Sequence, residues 1–156
     1  RDQNILSATY NDGNGKIRLS AIYGPNEDKK EFYDSLDTYL CMDPTLPIII
    51  GGDWNCTYSC EPTDFNIDIF RMRSPPSLTR SGWLNEICVK HHLMDPYRAM
   101  GPNTKDFTYV PYGARDNRSR IDFFIIGDEL IPKIKKGSIL PHLGSTLLDH
   151  RTIQSC

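Results

Sequence analysis

Several kinds of feature are scarce in this sequence, and each scarcity excludes something. No apolar run approaches the ~20 residues that a membrane helix needs; the longest, Ile48 to Ile50 and Phe123 to Ile126, are strand-sized. Cysteines number five (Cys41, Cys56, Cys60, Cys88 and Cys156), an odd count at irregular spacing that argues against a disulfide scaffold. Cys56 and Cys60 are spaced C-x3-C, but no second pair follows, and His91-His92 is too distant to complete a zinc motif. These read as reduced thiols of an intracellular protein. Internal repeats, low-complexity tracts and linkers are absent. No basic start leads into an apolar stretch, so no secretory signal is visible. The chain begins at Arg1 rather than Met and reads as a piece of something longer.

What remains is one domain's worth of chain. At 156 residues, 38% hydrophobic and 24% charged, it can bury a core and is neither disordered, collagenous nor a coiled coil. The net charge of −2 hides an uneven distribution. Residues 1–70 hold 5 Lys/Arg against 12 Asp/Glu, whereas residues 71–140 hold 12 against 7. A basic second half permits a polyanion on one face, although charge alone favours two ordinary solvated surfaces.

The patterning is mixed. Ile5 to Tyr10 reads as a strand, Asn11 to Gly15 as a turn, and Lys16 to Tyr23 as a second strand. Its alternation places Ile17, Leu19, Ala21 and Tyr23 on one face, so a hairpin with one buried face is expected. Asn26 is positioned to cap a helix over residues 27–42, with Phe32, Leu36 and Leu40 as its apolar stripe. Ile48 to Ile50 reads as a buried strand stopped by Gly51-Gly52, and residues 52–77 as a long irregular stretch. A second helix is expected over Thr79 to His92, with Trp83 and Ile87 on its stripe. Leu93 to Tyr97 reads as a link, Asp106 to Val110 and Arg120 to Ile126 as β-rich runs, and 128–136 as one or two helical turns.

Four short segments carry chemistry. Gly51-Gly52-Asp53-Trp54-Asn55 follows an apolar strand; the glycines allow close backbone approach, and Asp53 and Asn55, two apart, can point to one side. A carboxylate beside a carboxamide suits holding a metal or polarising a water, and equally suits an Asx turn. Ser119-Arg120-Ile121-Asp122 opens another apolar strand, where Asp122 is either a cap or a partner for a histidine. Leu148-Asp149-His150 supplies such a histidine, a general acid/base for neutral pH that needs a carboxylate to fix its tautomer. Tyr23-Gly24-Pro25-Asn26 ends a strand; Tyr23 is either a core aromatic or a phenol facing a phosphate.

In order, Y-G-P-N, G-G-D-W-N, S-R-I-D and L-D-H resemble the motifs of the endonuclease/exonuclease/phosphatase superfamily, the deoxyribonuclease I and abasic-endonuclease fold. Within it, Ile22 to Asn26, Phe107-Thr108-Tyr109 and Ser119 to Phe123 are similar to the endonucleases of non-LTR (LINE-type) retrotransposons. The resemblance spans about Ile5 to Ile153. It implies an α+β fold, a two-sheet α/β sandwich of the deoxyribonuclease I-like type with an incomplete first sheet. Residues 1–156 would be the C-terminal two-thirds of such a domain, because the family's earlier asparagine and metal-binding glutamate have no counterpart here.

The resemblance also implies roles. Asp53 matches the aspartate that aligns or deprotonates the attacking water, and Asn55 the asparagine that orients it. His150 matches the histidine on the scissile phosphate, Asp122 the carboxylate orienting it, and Asp149 an aspartate near the metal. Tyr23 completes the catalytic set, with Asn26 beside it on the phosphate side. Magnesium or manganese is the implied cofactor, held among Asp53, Asn55, Asp149 and His150. Thr108 and Ser119 match positions that hold the site or the DNA backbone, and Arg115, Arg118 and Arg120 are expected to track phosphates. Two departures are Leu148, where the family commonly has Ser, and Trp54, where it commonly has Phe.

The implied function is metal-dependent phosphodiester cleavage, as the DNA-nicking domain of a non-LTR retrotransposon protein. DNA would be the partner, a reverse transcriptase domain would lie elsewhere in the full-length protein, and the location would be intracellular and nuclear, with no membrane. Alternatives are an abasic-site repair nuclease or phosphatase of the same superfamily, and an inactive remnant or DNA-binding module.

Overall fold

A computed structural model describes residues 4–11, 13, 15–59, 67–70, 76–101, 105–112, 117–135, 137–139, 149–151 and 153–155. Strands β1 (Ile5–Asn11) and β2 (Lys16–Tyr23) pair antiparallel from Ile5↔Ile22 to Asn11↔Lys16. The Asn11 side chain closes their turn by accepting from the Gly13 N–H at 3.0 Å. Helix α1 (Lys30–Cys41) follows, then β3 (Ile48–Asp53), which lies parallel to β2. Later come β4 (Ile69–Phe70), α2 (Leu78–Lys90), β5 (Leu93–Met94), α3 (Pro96–Met100), β6 (Arg118–Ser119) and β7 (Asp122–Gly127). A 3₁₀ helix over Asp128–Lys133, β8 (Gly137–Ile139) and β9 (Ile153–Ser155) complete the order.

The main sheet runs β1-β2-β3-β7-β5, with β7 antiparallel to both β3 and β5. Helices α1 and α2 cover one face. Phe32, Tyr33, Leu36 and Leu40 of α1 and Leu84, Ile87 and Cys88 of α2 pack there against Ile22, Ile50, Phe123 and Ile125. Trp54 is sealed into the same core, stacked on Phe123 at 5.5 Å with its indole N–H donated to the Phe123 carbonyl at 3.1 Å. The indole therefore fills the volume of a core aromatic and satisfies its own polar atom.

Several expectations from the sequence are corrected. The buried face of β2 is the polar one: Arg18, Ser20 and Ile22 point inward, while Leu19 is 40% exposed and Tyr23 53%. Tyr39 of α1 explains this. Its hydroxyl hydrogen-bonds Ser20 at 2.7 Å and Ser7 at 2.6 Å, and Arg18 lies over its ring while donating to its carbonyl. Apart from the Arg18 Nε, which has no partner among the described residues, this face is hydrogen-bonded, and bonded polar groups can be buried without the penalty that would otherwise exclude them. The apolar face instead lines an open groove of about 650 Å³ with Leu6, Ile49, Phe124 and Ile153.

Helix α1 starts at Lys30, not after an Asn26 cap, and no side chain caps it. Asp28, just upstream, faces Arg80 of α2 instead. Strand β3 does not stop at the glycines but continues to Asp53. A Cβ at Gly52 would sit 2.0 Å from the Ile22 carbonyl oxygen, so the close approach of β3 to β2 requires glycine there. Asp106 to Val110 forms no strand; only Tyr109 makes bridges, one to Ser119 and one to His150. The link after α2 contains β5 and α3. Trp83 only flanks the core, and the α2 stripe is Arg80, Leu84, Ile87 and Cys88. Cys41, Cys56 and Cys88 are free thiols; Cys60 and Cys156 lie outside the described residues.

Candidate active site

Three strand ends meet at one edge of the main sheet. In register, Tyr23 of β2 stands beside Asp53 of β3, which stands beside Asp122 of β7. Residues paired in this way share a face of the sheet. The row is pinned by backbone bonds from Gly24 N–H to the Asp53 carbonyl at 2.7 Å and from Trp54 N–H to the Ile121 carbonyl at 2.8 Å. A second layer brings in the histidine. Ile69 pairs with Ser119, Ser119 bridges to Tyr109, and Tyr109 bridges to His150. The bonds Val110 N–H to Asp149 O and Arg151 N–H to Thr108 O, at 2.8 and 2.7 Å, hold the histidine segment in place.

The result is a convergence of groups distant in sequence. Ligand atoms of Asp53, Asp122 and His150 lie within 4.8 Å of one another. His150 Nδ1 bonds both Asp122 carboxylate oxygens, at 2.9 and 3.1 Å, and its ring rests against Tyr109 at 4.9 Å. This fixes Nδ1 toward Asp122 and leaves Nε2 as the ring nitrogen that could exchange a proton with a ligand. The Asp122 hydrogen bond raises the His150 pKa above its ordinary 6.5, against the opposing effect of burial, and the Asp53 and Asp149 charges add to the rise. Burial raises the Asp53 carboxyl above its ordinary 3.8, with Asp122 and Asp149 adding to the rise; the Asn55 N–H, donated to Oδ1 at 2.8 Å, opposes it.

Around this centre lies a cavity of about 490 Å³ lined by Tyr23, Asn26, Asp53, Asn55, Arg80 and His150, with Asp149, Tyr109 and Ser119 at its wall. Asn55 adopts a left-handed backbone (φ 51°) and donates its side-chain amide to the Gly24 carbonyl at 2.8 Å, tying the second motif to the first. Thr108 is fully buried. Its hydroxyl accepts from the Ile121 and Asp122 N–H groups at 3.1 and 3.0 Å, so it sets the backbone that carries Asp122. The Ser119 hydroxyl is buried and has no hydrogen-bond partner among the described residues.

The arginines divide differently from expectation. Arg120 is 1% exposed and cannot track a phosphate. It donates to Asp68 at 2.8 Å and to Asp95 at 2.5 Å, in a buried network that Arg98 joins through Asp68. Arg118 is half-buried on β6 opposite Phe70 and does not line the cavity, and Arg115 and Leu148 lie outside the described residues. Conversely, Arg80 lines the site and was not expected there. The available signal was its place on the apolar stripe of α2, four residues before Leu84.

No family model matches the chain. It is 31% identical over 141 residues to the "Transposon TX1 uncharacterized 149 kDa protein" of Xenopus laevis, covering 86% of this chain and 10% of that protein. Among solved structures it superposes on a 3′-5′ exonuclease (NExo) from Neisseria meningitidis, with a TM-score of 0.77 and 17% identity. It superposes as well on the AP endonuclease LMAP from Leishmania major, with a TM-score of 0.80 and 17% identity. The chain has the endonuclease/exonuclease/phosphatase fold. The fold likeness read from the four motifs is thereby borne out. Each superposition takes in 97% of the present chain, which spans 64% of the exonuclease and 54% of the AP endonuclease.

Proposed function

We propose that the chain is a metal-dependent phosphodiesterase that nicks DNA, and that it is the endonuclease part of a non-LTR retrotransposon protein. The observation that carries this reading is the Asp53–Asp122–His150 convergence, with the imidazole hydrogen-bonded to Asp122 at 2.9 Å. The transposon relative and the nuclease neighbours support the choice of substrate.

The chemistry follows from the residues. Asp53, seated beside Asn55, accepts in its ionised form a proton from a water or aligns that water toward phosphorus. His150, whose pKa the Asp122 hydrogen bond raises, donates in its protonated form from Nε2 to a non-bridging or leaving oxygen and offsets the charge that develops there. Thr108 holds the Asp122 backbone so that this donor stays aimed. Tyr23 and Asn26 offer a phenol and an amide to the phosphate. The donor set of Asp53, Asp149 and the Asn55 amide is oxygen-rich and acidic, which fits magnesium or manganese. Such an ion supplies charge neutralisation and lowers the pKa of a bound water. A protonated His150 belongs on the phosphate side rather than among the ion's ligands.

Among the described residues no glutamate lines the cavity. We therefore take the chain as a partial domain that binds the ion weakly. It is expected to cleave more slowly than a version extended upstream. The deciding experiment offers supercoiled plasmid, an abasic duplex and inositol phosphates with magnesium or manganese. Plasmid nicking that leaves a 3′ hydroxyl supports the proposal. Selective cleavage at abasic sites, or phosphate release alone, favours the other activities of the fold. DNA binding without cleavage, even by the extended version, favours a binding module.

A further inference from the structure

Arg80 is a cation embedded in the wall of the site. It lies in the first turn of α2, is 8% exposed, and lines the same cavity as Tyr23, Asn26, Asp53, Asn55 and His150. Two anchors orient it. Nη1 donates to the Pro25 carbonyl, and Nε lies 3.2 Å from an oxygen of Asp28. The Nε contact is an ion pair without hydrogen-bond alignment. Nη2 has no hydrogen-bond partner among the described residues, and it is not one of the sealed, unsatisfied atoms. Part of a fixed guanidinium is therefore open to a cavity whose wall also carries the carboxylates of Asp53 and Asp149.

That arrangement would be costly if its purpose were only structural. A hydroxyl or amide could hold the Pro25 carbonyl without placing a charge in the wall. An acidic cavity, by contrast, repels a phosphodiester unless cations offset it, and a guanidinium is the group best matched to phosphate oxygens. We infer that Arg80 is a substrate-binding residue, its free Nη2 edge hydrogen-bonding a non-bridging oxygen of the DNA backbone. The Pro25 bond has a second consequence: the same side chain fixes the turn bearing Tyr23 and Asn26, so that the guanidinium, phenol and amide meet the strand as one unit. This inference rests on the DNA phosphodiesterase reading and adds to it the residue that supplies the standing positive charge.

The test uses the 156-residue chain in EDTA, so that affinity is read apart from cleavage. A labelled duplex is titrated by fluorescence anisotropy at several salt concentrations, with wild type, Arg80→Gln and Arg80→Lys. Gln keeps a donor for Pro25 but loses the charge, and Lys keeps the charge. Arg80→Gln is expected to weaken binding about tenfold and to lower the slope of log affinity against log salt by about one. Arg80→Lys should retain that slope. A purely structural role would lower thermal stability in both variants and leave the slope alone, which overturns the inference. A second reading needs no variant: the Arg80 guanidinium NMR resonances of wild type should shift on saturation with the duplex. Unmoved resonances at saturation overturn the inference while leaving the nuclease reading intact. A wild-type chain that neither binds nor cleaves DNA overturns both.

Discussion

Replacing Arg120 by Met separates two accounts of the same residue. As a phosphate contact, Arg120 would be dispensable for folding and its loss would weaken DNA binding. Its surroundings argue the reverse. The guanidinium is 1% exposed and donates to two carboxylates, Asp68 and Asp95, that are themselves buried. Its flat face lies 5.2 Å from the Phe123 ring centroid and 5.5 Å from that of Tyr97. Met would fill much of the volume but leave Asp95, among the described residues, with only the backbone N–H groups of Tyr97 and Arg98. Asp68 would keep Arg98. Removing one partner from a buried ion pair costs about 3–5 kcal/mol. That is a large share of a domain's total of about 5–15 kcal/mol. The loss should depend on pH. Burial already raises the Asp95 pKa above 3.8, with Arg120 holding it down, so Arg120→Met pushes it higher. A raised folded-state pKa means stability that is present below the unfolded value and lost as pH rises. The deficit of Arg120→Met should therefore be small in acid and grow toward neutrality. Urea unfolding between about pH 4 and pH 7.5, followed by circular dichroism, measures this. Neutralising Asp95 as well, in Arg120→Met/Asp95→Asn, should recover part of the loss. A deficit under about 1 kcal/mol at neutral pH, combined with a lowered salt slope for DNA, would refute the reasoning.

Thr108→Val strips the acceptor from two N–H groups at the start of β7 and should cost about 2–6 kcal/mol in urea unfolding, at about 1–3 kcal/mol per unsatisfied buried group. It should also slow nicking through the displaced Asp122; unchanged stability would show that the hydroxyl bonds are not formed. Asp122→Asn should return the His150 pKa toward its ordinary 6.5, read by NMR titration in EDTA, and should lower nicking by about 10²-fold or more. In wild type the pair's contribution to stability should be complete below about pH 6.5 and lost as pH rises through the raised value. An unshifted His150 in wild type would contradict the pairing.

The sequence and the structure agree where local rules decide the outcome. The pairing of β1 with β2, the strand limits of β2 and the apolar stripe Phe32, Leu36 and Leu40 depend on local patterning, and each is found as expected. The central site was legible for a different reason. Asp53, Asp122 and His150 carry motifs whose order is specific even though the spacing is not, and the register Asp53↔Asp122 brings them together. What was not legible depends on partners far along the chain. Nothing near Arg120 signals that Asp68 and Asp95 enclose it, and nothing near Arg18 or Ser20 signals that both hydrogen-bond to Tyr39. Arg80 occupies an apolar stripe, a local anomaly whose meaning appears only when Pro25 and Asp28 are brought against it. The run from Asp106 to Val110 has β-rich composition, but its backbone is used to seat Ser119, His150 and Arg151 singly rather than to extend a ladder.

The proposal that Asp53 and His150 serve one phosphate is tested most directly by plasmid nicking with Asp53→Ala and His150→Ala, each paired with DNA affinity measured in EDTA. Both variants should lose cleavage by about 10²-fold or more while duplex affinity changes little, and the double variant should be barely worse than either single, because the two residues act on one step. Cleavage that survives either substitution, or losses that multiply as independent effects, would contradict a shared site.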